Sequence, residues 1–139
     1  MNFNDKLNEV FLIEDSSVVG FTPEKTGMSM YDEILLQPQL KDYFRNQKNM
    51  DFKIEYMSPR EYLSRTKEGF LKTGAPGDFV PDEENVNKYA EMMKNGTLFN
   101  MPTLDYMRGR FNQEGRHRAM AAEMIGIEKI PVFVVKPLE

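Results

Sequence analysis

The chain has 139 residues, of which 40% are hydrophobic and 29% charged, and its formal net charge is −4. This composition is typical of one folded domain, and the negative charge argues against a protein that coats nucleic acid through its overall charge. There is no cysteine and one histidine, which excludes disulfides, thiolate zinc sites, cysteine nucleophiles and multi-histidine metal sites within the chain. An apolar run of membrane-spanning length and a secretory leader are also missing, so we expect a cytoplasmic protein with no membrane partner.

The first part of the chain, residues 1–50, is expected to form an accessory layer on a main domain that spans residues 51–139. An apolar run at residues 10–13 predicts a short strand, and the glycines and proline of residues 16–27 predict turns. Ser29 is a candidate N-cap for a helix that follows. We interpret this layer as helical cover for a sheet.

The main domain starts with a strand and a helix whose boundary is well marked. Residues 52–57 alternate apolar and charged side chains, which is typical of a half-buried strand. Ser58 supplies an N-cap, Pro59 suits the first helical position, and Glu61 places an acid in the first turn. These signals predict a helix from Pro59 to about Thr66.

Glycine and proline are concentrated at residues 67–81, which predicts a long loop. Lys67 and Lys72 could reach a ligand from this loop. Residues 82–95 then predict a helix, because acidic side chains occupy its first turn and suit the helix dipole there.

Three strands are predicted in the last third of the chain. Residues 99–104 form the first, and Pro102 keeps it near an edge or at its beginning. Residues 106–113 form the second. Residues 130–135 are continuously apolar and β-branched, which is typical of a central strand covered on both faces.

The strongest chemical signal is a turn and a helix that precede the last strand. Gly115 suits the turn, and Gly126 stands where a helix C-cap belongs. Arg116, His117 and Arg118 would occupy the first helical turn, where backbone N–H groups are unpaired and the dipole is positive. Cations are unfavourable there by about 0.3–1 kcal/mol each. A bound anion would reverse that sign, so the stretch predicts a phosphate or other anion site.

Local charge supports the same interpretation, because four arginines lie in one short segment of an acidic chain. They are Arg108, Arg110, Arg116 and Arg118. The alternative is a solvated basic turn, or arginines that pair with the chain's own carboxylates. The carboxylates considered for such pairing are Asp105, Glu114 and Glu123. A single histidine such as His117 is more often a packed core residue than a catalytic one.

The order of these segments has a known counterpart. A strand, Met-Ser-Pro-Arg-Glu-Tyr-Leu, a helix that ends in Met-Lys-Asn-Gly and a proline-containing strand precede the block Gln-Glu-Gly-Arg-His-Arg-Ala-Met-Ala-Ala-Glu-Met-Ile-Gly. This arrangement resembles the superfamily of the ParB N-terminal domain and sulfiredoxin, often described as ParB-like nuclease, and in particular its short phage and plasmid members. The resemblance covers about residues 51–137. It implies an α+β fold in which helices pack on a small mixed sheet.

The resemblance also implies roles for individual residues. The ParB branch has a Gly-Glu-Arg-Arg-aromatic-Arg-Ala box at this helix start, which is used to bind a nucleoside triphosphate. The matching residues here are Glu114, Arg116, Arg118 and Ala119. His117 stands at the aromatic position, Gly115 replaces one arginine and Gln113 replaces the leading glycine. The sulfiredoxin branch has Gly-Cys-His-Arg, and Arg116 occupies the cysteine position, so reductase chemistry is excluded.

Our first hypothesis is therefore a domain that binds a nucleotide or phosphate. The predicted phosphate-binding residues are Gly115, Arg116, His117 and Arg118, with CTP or ATP as the candidate nucleotide and Mg²⁺ as a candidate cofactor. If the chain also hydrolyses a phosphoryl bond, Glu114 is the candidate general base or magnesium ligand and His117 the candidate proton donor. No metal site built from protein side chains alone is predicted.

Two other classes of function stay open. A DNA-binding protein or nuclease would place Arg108 and Arg110, together with Arg116 and Arg118, on backbone phosphates. A non-enzymatic phage factor would bind a host protein, using residues 1–50 or adaptable methionine side chains.

Overall fold

The computed structural model describes residues 20–26, 50–106 and 111–137. Within these ranges the chain forms six strands and three helices, which is an α+β arrangement. The strands are β1 (Phe21–Thr26), β2 (Met50–Met57), β3 (Phe99–Met101), β4 (Thr103–Asp105), β5 (Asn112–Glu114) and β6 (Ile130–Pro137). The helices are α1 (Pro59–Lys72), α2 (Glu83–Lys94) and α3 (Arg116–Met124).

The larger sheet is mixed and has the strand order β2-β6-β4-β5. β6 is antiparallel to β2 and parallel to β4, whereas β5 is antiparallel to β4. Every residue of β6 from Ile130 to Val135 is buried, which confirms the prediction of a central strand covered on both faces. Pro131 is the second residue of this strand. A position near the start is the predicted one, because proline has no N–H to donate to a neighbouring strand. A separate parallel pair joins β1 to β3.

The predicted helix starts of α1 and α2 are confirmed by their caps. The Ser58 hydroxyl accepts a hydrogen bond from the Glu61 N–H at 3.0 Å, and Pro59 is the first residue of α1. The Asp82 carboxylate accepts from the Asn85 N–H at 3.3 Å and begins α2 in the same way. Both caps are local features, so a single sequence is enough to locate them.

The end of α1 is a correction to the sequence analysis. The helix does not stop near Thr66 but continues to Lys72, which removes the first part of the loop predicted at residues 67–81. Gly69 is the reason for the error. A Cβ at this position would lie 2.5 Å from the Phe111 ring, so glycine serves close packing inside a helix rather than a turn.

Turn signals also led to a wrong prediction at residues 16–27, where Phe21–Thr26 forms β1. Pairing with β3 outweighs the local preference there. Pro102 divides the strand predicted at residues 99–104 into β3 and β4, which belong to different sheets. Gly115, in the turn before α3, packs closely against this proline.

The core lies between the helices and one face of the larger sheet. Alternate residues of β6 face it, namely Ile130, Val132 and Val134, and Phe21 of β1 is fully buried in the same cluster. α3 contributes three alanines, Ala119, Ala121 and Ala122. Small side chains let this helix approach the sheet closely and fix where it begins. In the part of the chain that the structure describes, no helix has the length and apolar character needed to cross a membrane.

Several predictions lie outside the described residues. These are the strand at residues 10–13, the helix after Ser29, and the positions of Arg108 and Arg110. Of the strand predicted at residues 106–113, the structure describes Tyr106 and residues 111–113, and of these Asn112 and Gln113 belong to a strand, β5.

Candidate anion site

α3 begins at Arg116, directly after the turn predicted at Gly115. The φ angle of Gly115 is +128°, a conformation that side chains rarely adopt, and a Cβ there would lie 2.5 Å from the Pro102 Cβ. Backbone conformation and packing therefore both require glycine. The first intrahelical hydrogen bond runs from the Ala119 N–H to the Gly115 carbonyl at 2.9 Å.

The N-terminus of α3 has no side-chain cap. Gly115 is its N-cap residue, no side chain accepts a hydrogen bond in the capping position, and the first turn holds no acidic residue. The N–H groups of Arg116, His117 and Arg118 have no carbonyl within the helix to bind. The positive end of the helix dipole thus coincides with three residues that have basic side chains, as the sequence predicted.

Arg116 lies on aromatic faces and not against a carboxylate. Its guanidinium carbon is 4.0 Å from the ring centre of Phe79 and 5.4 Å from that of Phe70. Contacts of this kind stabilise a cation by about 0.5–2 kcal/mol. Burial lowers the pKa of Arg116, but an arginine stays protonated at neutral pH. Among the described residues, Arg116 forms no ion pair.

His117 connects the starts of two helices. Its Nε2 accepts a hydrogen bond from the N–H of Asp82, the N-cap residue of α2, at 2.9 Å. Its ring meets Phe79 edge-on, with the ring centres 5.1 Å apart. A nitrogen that accepts carries no proton, so the neutral imidazole bears its proton on Nδ1. The Nδ1–H group is what His117 can offer to an anion in this geometry.

Arg118 is neutralised by the chain itself. Its two terminal guanidinium nitrogens bind both carboxylate oxygens of Glu114, one of them at 2.8 Å, and its Nε donates to the Asn100 carbonyl at 3.0 Å. The Arg118 side chain is 13% exposed. This is the pairing with Glu114 that the alternative interpretation of the sequence considered. A phosphate that reaches Arg118 has to displace a carboxylate.

The other two candidate carboxylates do not pair with Arg116. Glu123 binds Arg60 of α1 through two hydrogen bonds of 2.9 and 3.0 Å, which join α3 to α1. Asp105 is buried in β4. Arg116 and Arg118 are therefore not equivalent, because Arg118 has a carboxylate partner and Arg116 has an aromatic one.

Three aromatic side chains also lie at the start of α3. None of them was predicted from the sequence to belong to the site. They are Tyr62, Phe70 and Phe79. The Tyr62 hydroxyl lies 3.0 Å from the Glu114 carbonyl oxygen and 3.3 Å from that of Thr103, which braces the turn from α1. Burial raises the pKa of Tyr62, so its hydroxyl stays protonated and donates. Phe79 lies in a predicted loop, and a loop has no periodic pattern from which the direction of a side chain could be predicted.

The structure places one continuous set of predicted residues together at the start of α3. This set is Glu114, Gly115, Arg116, His117 and Arg118. The two arginines predicted to contact DNA, Arg108 and Arg110, fall in residues 107–110, outside the described ranges. Within those ranges, no three histidine, aspartate or glutamate side chains are grouped so that they could hold a metal ion.

Comparison of the chain with models of known protein families, with curated protein sequences and with solved structures finds no match in any of the three. The resemblance to ParB-like domains therefore stays a prediction from the motif at residues 113–126. The function has to be argued from the geometry of the site.

Proposed function

We propose that the chain binds the phosphate groups of a nucleotide at the N-terminus of α3, with Arg116 as the principal cation. The observation that carries the proposal is the partly buried Arg116 guanidinium, which is held over Phe79 and has no carboxylate partner among the described residues. Beside it lies the first turn of a helix that no side chain caps. A fixed cation and free N–H groups are the two things that a phosphate needs in a binding site.

The predicted residues contribute unequally in this proposal. Gly115 brings the backbone close to the ligand, and Arg116 pairs with it directly. His117 offers its Nδ1–H group, because its Nε2 is occupied by Asp82. Arg118 is shared with Glu114, so a bound phosphate competes with that carboxylate for it.

The proposal covers binding and does not extend to hydrolysis. Glu114 is the predicted general base, but both of its oxygens are held by Arg118, so neither is free to accept a proton in this geometry. CTP or ATP, with Mg²⁺, is the ligand that the motif suggests. The geometry of the site favours an anionic group and does not by itself favour one base.

Titration calorimetry of the full chain with CTP, ATP and GTP, each with and without Mg²⁺, tests the proposal. We expect heat of binding with at least one nucleotide. Arg116→Gln should weaken that binding about tenfold or more, since it removes a hydrogen bond to a charged group. No heat with any nucleotide would contradict the proposal.

A matched control comes from Arg60, which also lies in the first turn of a helix. Its guanidinium is 79% exposed and is paired with Glu123. Arg60→Gln changes the net charge by the same amount as Arg116→Gln and should leave the affinity unchanged. Equal losses in the two variants would show that the nucleotide responds to overall charge and not to the α3 site.

A further inference from the structure

A second concave site lies beside the C-terminal half of α1. It is a cavity of about 540 Å³ between this helix and one end of the larger sheet. The side chains that give it its chemistry are Glu55, Arg65, Glu68, Lys72, Tyr106 and Lys136. Its volume falls in the range of about 300–1,000 Å³ that is typical of small-molecule sites.

The floor of the cavity is the place where one face of the sheet changes from apolar to polar. Along β6 this face passes from Val134 in the core to Lys136 two residues later. Next to it, the same face passes from Leu104 of β4 to Tyr106 just after the strand. On the other side of β6, Glu55 of β2 pairs with Val132. Lys136 and Tyr106 therefore lie at one end of this face, where the core does not continue, and Glu55 lines the cavity from the edge strand β2.

α1 supplies the wall of the cavity from one stripe of the helix. Arg65, Glu68 and Lys72 are three and four residues apart, a spacing that places them along the same side. Gly69 lies among them, and the Phe111 ring packs closely against it. Floor and wall therefore each present both acidic and basic groups.

Two lysines of the cavity are available to an anionic group. Lys72 and Lys136 are exposed, and neither forms an ion pair with any residue in the described ranges. Arg65 differs from them, because it is bound to Glu55 at 3.0 Å and to Glu61 at 3.3 Å. A ligand anion would therefore meet the lysines first.

Glu55 has one oxygen that is engaged and one that is not. Its Oε1 accepts a hydrogen bond from Arg65 at 3.0 Å, whereas Oε2 is buried and accepts none, with the Lys53 Nζ 3.7 Å away. Burial alone would raise the pKa of Glu55, but the hydrogen bond and charge of Arg65 bring it below its ordinary value. Because no group from the solvent reaches this oxygen, Glu55 acts on the cavity through its negative charge and not as a hydrogen-bond acceptor. Glu68 adds a second carboxylate to the same cavity.

Tyr106 gives the cavity an apolar surface. Its ring packs 5.4 Å from that of Phe111. Burial raises the pKa of Tyr106 against the opposing charge of Arg65, so the hydroxyl stays protonated. The exposed part of the ring is a surface on which an aromatic or aliphatic group can pack.

We propose that this cavity binds a small zwitterion of the amino-acid type. Its ammonium group donates to Glu68 and is attracted by the charge of Glu55, its carboxylate pairs with Lys72 and Lys136, and its side chain packs on Tyr106. A zwitterion matches both signs of charge in the cavity, whereas a simple anion or a simple amine matches one. The site is separate from the start of α3, so the inference does not depend on nucleotide binding there.

An NMR titration of the ¹⁵N-labelled full chain with L-phenylalanine tests the proposal. We expect saturable amide shifts at Glu55, Glu68 and Lys72, and none at Gly115. Lys72→Met and Lys136→Met should each weaken binding by about threefold to tenfold. Lys88→Met is the control, because Lys88 is exposed on α2 and does not line the cavity.

Two analogues of the ligand test the contributions of its two charged groups one at a time. Phenylacetate lacks the ammonium group and phenethylamine lacks the carboxylate, and each should bind about tenfold more weakly than L-phenylalanine. Glu68→Gln should weaken binding of L-phenylalanine and leave phenylacetate unchanged, with thermal unfolding used to confirm that the variant folds. Equal binding of the three compounds would overturn the proposal. So would a stronger response to AMP than to L-phenylalanine, or no saturable shift with any of these compounds.

Discussion

The starts of α2 and α3 lie side by side, joined by the hydrogen bond from Asp82 to His117, yet they are completed in opposite ways. α2 has an acidic N-cap that accepts from its own backbone, and two more acids in its first turn. α3 has Gly115, no side-chain cap, and Arg116 at its first position. One helix satisfies its N–H groups and dipole with its own residues, and the other leaves them available. The basic start of α3 is therefore the place where we propose that an anion binds.

The largest effect is expected from Gly115→Ala, which should lower the free energy of unfolding by about 3–5 kcal/mol. The new Cβ would lie 2.5 Å from the Pro102 Cβ and would also require an unfavourable φ. Gly96→Ala is the control, because Gly96 has φ +90° and no atom within 4 Å of a Cβ. It should cost about 1–2 kcal/mol from the backbone alone. Urea unfolding measures both, and equal losses would mean that contact with Pro102 does not hold the turn.

Tyr62→Phe is expected to cost about 1–2 kcal/mol, since it removes a buried hydroxyl that lies 3.0 Å from the Glu114 carbonyl oxygen, directly before the α3 turn. The ring and its packing in the core are kept. Tyr89→Phe on α2 serves as the reference for loss of a tyrosine hydroxyl at a half-buried position. Equal stabilities of Tyr62→Phe and the wild type in urea would show that Tyr62 does not brace the turn.

Asp82→Ala tests α2, the helix whose N-terminal N–H groups are capped by its own residues. It should lower stability by about 1 kcal/mol, because the Asn85 N–H loses its acceptor. Asp82→Asn keeps a capping oxygen and should be close to the wild type in the same unfolding experiment. If both variants lose the same amount, the charge of Asp82 and not its cap stabilises α2.

The smallest change in stability is expected for Glu114→Gln, about 0.5–1 kcal/mol, because the ion pair with Arg118 is partly exposed. Its effect on binding is more informative. The variant frees Arg118 from its carboxylate, so nucleotide affinity measured by calorimetry should rise by about threefold. A fall in affinity would show that Glu114 itself contacts the nucleotide or a bound Mg²⁺.

Local signals in the sequence predicted where the helices begin. They gave wrong predictions where contacts with residues distant in sequence determine the structure. Ser58, Asp82 and Gly115 each act through the backbone within a few residues, so their caps and turn are visible in one chain. In the sequence Gly69 looks like a glycine required by a turn. In the structure it is required by the ring of Phe111, which packs against it and is distant in sequence. β1 depends on β3 in the same way, and no pattern within residues 21–26 specifies that partner.

The candidate site was predictable to the extent that it is continuous in sequence. Its basic residues are neighbours at one helix start, and charge and helix geometry were enough to find them. Phe79 and Tyr62 reach the site from other segments, so nothing in the basic block points to them. One feature of the sequence could have predicted the difference between Arg116 and Arg118. Glu114 is four residues before Arg118, and that spacing favours an ion pair.

The most direct test of the central claim is an NMR titration of the ¹⁵N-labelled chain with CTP and ATP that follows the backbone amides of both helix starts. The account predicts saturable shifts for Arg116, His117 and Arg118 at the start of α3, and no comparable shifts for the amides of Glu83 and Glu84 at the start of α2. Shifts of equal size at both helices, or none at the start of α3 with either nucleotide, would contradict it.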